Sequence, residues 1–247
     1  MSHRILVPFE LPDADPLSPV LVEDLATMDV VVLGHYGLPE QTPPDAARAQ
    51  FGDEAGAELD ELASPLREVG APVTTRLVFG KARAKTIDRI ALEEGCDAEL
   101  DPAPTERIDR ILVPLLDTGN LDRLADFVHA LVGATITEIT LFHVAEGDER
   151  LDDARVLLDD ARDQLIRRGF DADLVDVSVV DSGNHDREIL RMAEDYDAVV
   201  MDEADPSIPE RIFGTLSDNI AERTWDPVIV VRRNVGDERE SPTSSQS

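Results

Sequence analysis

RILVP fills residues 4–8 and returns, letter for letter, at residues 110–114. The segments after each copy also come in the same order. After the first copy come a helical stretch at 18–28, the apolar run VVVLG at 30–34, and a long amphipathic stretch at 46–70 that ends REVG. VTTRLVFG at 73–80, a segment with Ile87, Ile90 and Ala91 at helical spacing, and CDAEL at 96–100 complete it. After the second copy come LDRLADFVHALV at 121–132, TEITLFHV at 137–144 and a long helix ending RRG at Gly169. ADLVDVSVV at 172–180, DREILRMAE at 186–194 and YDAVV at 196–200 follow. Each copy therefore reads β-α-β-α-β-α-β. Strands alternating with helices predict parallel pairing through right-handed crossovers, an α/β fold.

The helix before Gly169 places Leu151, Ala154, Leu158, Ala161 and Leu165 on one face, the spacing of a packed stripe. Both long helices stop at a glycine, Gly70 or Gly169, as a left-handed C-terminal cap requires. The copies then part. Copy two continues through MDEADPSIPERIFGT at 201–215, an amphipathic helix carrying Ile212, Leu216 and Ile220, and a last strand, DPVIVVRR. Copy one stops after CDAELD, with only PAPTE before the second copy begins, so it lacks the last helix and the fifth strand. The expected units are a truncated repeat at 1–105, a complete one at 106–233, and a polar tail at 234–247 without periodicity, which reads as disordered. The strand DAELD would be an edge, and Glu99 and Asp101 would discourage stray pairing there.

Charge narrows the partners. The 247 residues hold 53 acids against 23 bases, a formal net charge of −30, and Lys81 and Lys85 are the only lysines. Acids spread along the whole chain point to a hydrated surface suited to molar salt, similar in composition to halophilic proteins, and the self-repulsion should weaken the fold at low salt. No basic stripe offers phosphate neutralisation, which argues against duplex nucleic acid. No segment reaches the run of about 18 apolar residues of a membrane span, and the N-terminus has no signal pattern, so a cytoplasmic location without membrane insertion is expected. A single cysteine, Cys96, excludes an internal disulfide, and its acidic context would raise the thiol pKa.

Copy two, over 110–233, resembles the universal stress protein family through ILVPLLD, TLFHVAE, GNHDREILRMAE, YDAVVM, GTLSDNIAERT and DPVIVVRR. Copy one is similar through RILVPFE, VVVLG, LVFG and TIDRIALEEGCDA. The resemblance implies two Rossmann-like parallel sheets of the adenine-nucleotide α-hydrolase type in tandem. It also implies a loop of pattern G-x-x-G, nine residues, then G-[S/T], with which some members hold ATP. Glycines there let backbone N–H groups reach phosphate oxygens at a helix start. Gly214 and Thr215 match the closing pair, but the first two glycines fall on Asp202 and Asp205, and only eight residues separate Asp205 from Gly214. The family's nucleotide-contacting carboxylate falls on Leu116, with Asp117 adjacent, and on Glu10 in copy one. Side chains in place of glycine, and the acids Asp202, Glu203, Asp205 and Glu210, predict a phosphate loop that has closed, with no cofactor. Ser207 and Glu210 stand at capping-box spacing. The alternative is an ATP or AMP sensor using Asp117, Gly214 and Thr215.

No catalytic constellation emerges, so the chain reads as a non-enzymatic stress or regulatory protein. His143 and His185 read as packing and helix-entry residues. His3, His35 and His129 have no partners at metal-ligand spacing. Ser207 and Ser217 lack a nucleophile-elbow context. Trp225 reads as a core or interface residue. In the family, fifth strands of two domains pair across a dimer. Since copy one has none, Val228, Ile229, Val230 and Val231 are expected to pair with the same strand of a second chain, an isologous homodimer. Family members associated with membrane transporters are similar to copy one in LPEQTPPDAARAQF and TRLVFGKARAKTIDRIA, which implies a transporter as a further partner.

Overall fold

A computed structural model describes residues 2–115, 120–131, 136–145, 150–203 and 212–233, with the backbone alone at 212–215, 218 and 222. Copy one supplies β1 (Arg4–Leu11), α1 (Pro19–Asp24), β2 (Asp29–Gly37), α2 (Pro44–Glu68), β3 (Val73–Gly80), α3 (Arg83–Glu94) and β4 (Ala98–Asp101). Copy two supplies β5 (Arg110–Pro114), α4 (Leu121–Leu131), β6 (Glu138–Ala145), α5 (Leu151–Arg167), β7 (Val175–Asp181), α6 (His185–Ala193), β8 (Ala198–Asp202), α7 (Ile212–Thr224) and β9 (Val228–Val231). The alternation expected from the repeat is present in both copies. Gly70 and Gly169 adopt positive φ, 90° and 106°, where their helices end. Leu151 departs from the expected stripe. It is exposed, while Ala154, Leu158, Ala161 and Leu165 are buried.

The repeated letters have a repeated job. In copy one the Asp97 carboxylate accepts from the Arg4 backbone N–H at 2.9 Å, and Asp97 N–H donates to the Arg4 carbonyl at 2.7 Å. In copy two Asp197 and Arg110 make the same two bonds, each at 2.9 Å. Each arginine also reaches a carbonyl at or just past the end of the helix before the fourth strand, Arg4 to Glu94 and Arg110 to Asp195. RILVP and the aspartate of CDA or YDA thus lock the first and fourth strands of each copy side by side.

The strands form one nine-stranded sheet in the order β3-β2-β1-β4-β9-β8-β5-β6-β7. Pairing is parallel throughout except at the seam, where β4 runs antiparallel to β9 with Ala98 opposite Val231 and Asp101 opposite Val228. This corrects two expectations. β4 is no edge strand, and β9 has no free edge for a second chain, because β8 takes one side and β4 the other. The physical reason is the truncation itself. Losing its last helix and strand leaves copy one with an unpaired β4, and a neighbour in the same chain fills it without the entropy loss of bringing two chains together.

Alternation across the seam sorts its side chains. Ala98, Leu100, Ile229 and Val231 enter a single apolar cluster that runs from Ile5 to Val231 and draws on both copies. Val228 joins a second cluster with Ile189, Leu216 and Ile220 from α6 and α7, while Ile87, Ile90 and Ala91 of α3 form a third on Leu6, Val31 and Leu33. Glu99 and Asp101 point to this second face, between α3 and α7, where copy one's missing helix would have lain.

Candidate functional site

In parallel α/β sheets, ligands favour the crevice outside the strand carboxyl ends where the strand order reverses. Here there are two such points, at β1/β4 and at β5/β8. The antiparallel seam turns them toward opposite ends of the sheet.

At the β5/β8 crevice, side chains of the described residues converge on Asp202. Asp202, at the end of β8, accepts two bonds from Arg233, at 2.9 Å from Nε and 2.6 Å from the terminal nitrogen. Asn120, buried just before α4, donates its side-chain amide to the other Asp202 oxygen. Glu203 accepts from the Arg233 backbone N–H at 2.9 Å and pairs with Arg232 at 3.3 Å. Arg232 N–H in turn donates to the Asp97 carbonyl at the start of β4. Asp202 therefore does not present a bare negative charge to the crevice. It sits as the acceptor between two elements, and the expectation that it repels phosphate by charge is corrected to one of occupancy. Gly214 and Thr215 are the third and fourth residues of α7. Asp117, Leu116, Asp205, Ser207 and Glu210 lie outside the described residues. His143 is buried, and its Nδ1 stands 2.7 Å from the Leu115 carbonyl, a packing role as the sequence implied.

The β1/β4 crevice is open. A cavity of about 560 Å³ lies there, within the usual size range of small-molecule sites. The loop after β1 (Asp15, Pro16, Leu17), the segment after β4 (Asp101 to Pro104), Arg83 at the start of α3, and Ala221 with Trp225 at the end of α7 form its walls. Copy two's last helix thus borders the space that copy one's would have filled. Trp225 is 70 % exposed, which removes the core from the two places expected for it, core or interface. Its φ of 59° is the left-handed turn that ends α7, a position where glycine is the usual residue.

Glu99, on β4, has its carboxyl pushed up to about 7, mainly by burial, with Asp88 and Asp101 adding to it and Arg232 and Arg83 opposing. The Cys96 thiol is pushed up to about 12, by burial more than by the acids the sequence pointed to. It is no nucleophile at neutral pH. Among the described residues no group of three or more His, Cys, Asp and Glu could hold a metal ion. No helix among them is long and apolar enough to cross a membrane.

A profile described as the Universal stress protein family matches residues 107–232. No curated protein matches the sequence. Among solved structures, the chain is similar to a universal stress protein from Archaeoglobus fulgidus DSM 4304, with a TM-score of 0.62 and 19% identity over 94% of this chain and 99% of that one. A Pseudomonas aeruginosa UCBPP-PA14 protein assigned to the same family gives 0.52 and 17% over 94% and 93%. The cytoplasmic domain of a prokaryotic cation chloride cotransporter gives 0.50 and 13% over 93% and 95%. Identities this low speak to the fold, which these proteins share along nearly the whole chain.

Proposed function

Since the chain belongs to the universal stress protein family, we propose that it is a non-catalytic regulatory member that acts by protein association and holds no triphosphate in copy two. The carrying observation is the tie across the β5/β8 crevice, where Arg233 and Asn120 both bond to Asp202. A phosphate placed there would have to displace a charge-assisted pair with side-chain exposures of only 20% and 14%, and breaking a buried pair is costly. Copy one cannot substitute, because the loop and helix that carry the family's phosphate pattern are absent after β4.

The cytoplasmic side of a membrane transporter is the partner class this reading favours. The resemblance of residues 38–51 and 75–91 to transporter-associated members supports it, as does the use of the same tandem fold as a cotransporter's cytoplasmic domain. Self-association, where it occurs, would use the sheet's outer strands β3 and β7 or a helical face, because β9 is paired on both sides.

The test is a thermal-shift titration with ATP and magnesium in molar potassium chloride, run on the wild type and on Gly214→Ala. A ligand at 100 times its Kd stabilises a fold by about 2.7 kcal/mol, so binding at that loop would be plain. The two proteins should respond alike. An ATP shift present in the wild type and lost in Gly214→Ala would restore the nucleotide-sensor alternative built on Asp117, Gly214 and Thr215.

A further inference from the structure

The same helix in the two copies begins in opposite ways. In copy two, α6 is capped by Asn184, whose side-chain oxygen accepts from Arg187 N–H at 3.0 Å, and Asp186 and Glu188 lie in its first turn. This is the usual arrangement, with acceptors at the positive end of the helix dipole. In copy one, α3 has Ala82 at the cap position, no side-chain cap and no acid in its first turn. In their place stand Lys81, Arg83 and Lys85, which include both lysines of the chain. Cations at a helix N-terminus oppose the dipole.

Their surroundings sharpen the anomaly. In a protein of net charge −30, none of these three cations forms an ion pair among the described residues. Lys81 donates to the backbone carbonyl of Glu40 instead. The Arg83 Nε is buried with no hydrogen-bond partner.

A second observation comes from beneath the turn. His35, near the end of β2, is 1% exposed, and neither of its ring nitrogens has a partner. Its Nε2 is turned toward the turn that leads into α3. A Cβ built on Gly80 would stand 3.6 Å from His35 Nε2 and 3.7 Å from Thr86 Oγ1, so the absent side chain leaves a small polar gap between them. A neutral imidazole still carries one N–H, and leaving that donor buried and unpaired is costly.

We propose that the N-terminal turn of α3 in copy one is a binding site for a phosphate-class anion. The uncapped N–H groups of that turn and the side chains of Arg83 and Lys85 hold it, and His35 donates from below. The anion accepts all of these bonds, completes the helix dipole, and adds a close ionic partner at a turn where Arg83 has Glu99 within electrostatic reach but no ion pair among the described residues. Arg83 also lines the 560 Å³ cavity, so the organic part of a phosphomonoester would extend into that space toward Trp225. This site lies at the other end of the sheet from the β5/β8 crevice and does not depend on the reading given for it.

The experiment is a thermal-shift titration of the full chain, with potassium phosphate replacing potassium chloride at matched ionic strength and, in a separate series, AMP. Arg83→Gln with Lys85→Gln forms the comparison, since Lys85 is exposed, Arg83 is half-buried, and neither belongs to the apolar cluster beneath α3. Phosphate should stabilise the wild type more than the double variant, whose affinity should fall roughly tenfold or more with the loss of charge-assisted bonds. Non-specific salting by phosphate acts on both proteins equally. Equal shifts in the two, or none in either, would overturn the site. A response to phosphate as strong as that to AMP identifies a free-anion site, and a much stronger response to AMP identifies a phosphomonoester site. His35→Gln, which keeps one donor and one acceptor, should retain binding better than His35→Leu. The reverse order would remove His35 from the site.

Discussion

Glu99 shows how a single side chain can be read correctly as charged and wrongly as exposed. Its alternation with Ala98 and Leu100 is plain in the sequence, and it does face away from the main core. What the letters did not carry is that β9 would lie alongside and α3 and α7 on either flank, which turns an edge acid into a largely buried one with a pKa of about 7. An acid whose folded pKa is raised favours the folded state when protonated. Its stabilising effect is full below the ordinary value near 4.5 and is lost as pH rises through 7. Glu99→Gln should therefore raise the melting temperature at pH 8, where the wild type holds a buried carboxylate, and leave it unchanged near pH 4. At one pKa unit per 1.4 kcal/mol, the gain is at most about 3 kcal/mol. A melting temperature at pH 8 equal to or below the wild type's would show that Arg232 and Arg83 already offset the burial. Asp202 carries the companion lesson. The sequence marks it as the wrong residue for a phosphate loop, but only the fold brings Arg233 and Asn120 to it.

At the scale of elements, nearly every strand and helix was legible, because period-2 and period-3.6 patterns repeat in two copies and each confirms the other. The seam was not. Nothing in AELD or VIVV says that they are partners, since pairing across so many residues depends on which edges remain unfilled once each half has formed. The consequence is testable at Ile229. If β9 met a second chain at an exposed edge, Ile229→Lys would give a folded monomer. With Ile229 1% exposed in the cluster shared by both copies, the lysine must bury an unpaired ammonium inside the fold. A destabilisation of more than about 4 kcal/mol is expected, as for other buried unpaired charges. Chemical denaturation in molar salt measures it, and near-native stability for this variant would mean that the seam opens freely.

For the whole molecule, one apolar cluster crosses the seam and one sheet spans both repeats, so the chain should unfold as a single unit. Calorimetry in molar potassium chloride is expected to give one transition, and two resolved transitions would mean that the repeats melt separately. Dilution from molar salt to about 0.1 M lengthens the Debye distance from about 3 Å to about 10 Å and lets the 53 acids repel one another. The melting temperature should fall steeply over that range. Composition alone carries this expectation, whereas the open space beside Arg83 and Trp225 was hidden, because a cavity is made by what is missing.

The seam has one more effect, on how the protein can change. In a dimer of identical chains, every substitution appears twice, and any feature useful at one end is imposed on the other. Here β4 and β9 join two halves encoded separately, so each end varies alone. One helix start could gather lysines while its counterpart kept asparagine and acids. One crevice could close while the other stayed open. The molecule has the outline of a symmetric pair and the freedom of two different proteins.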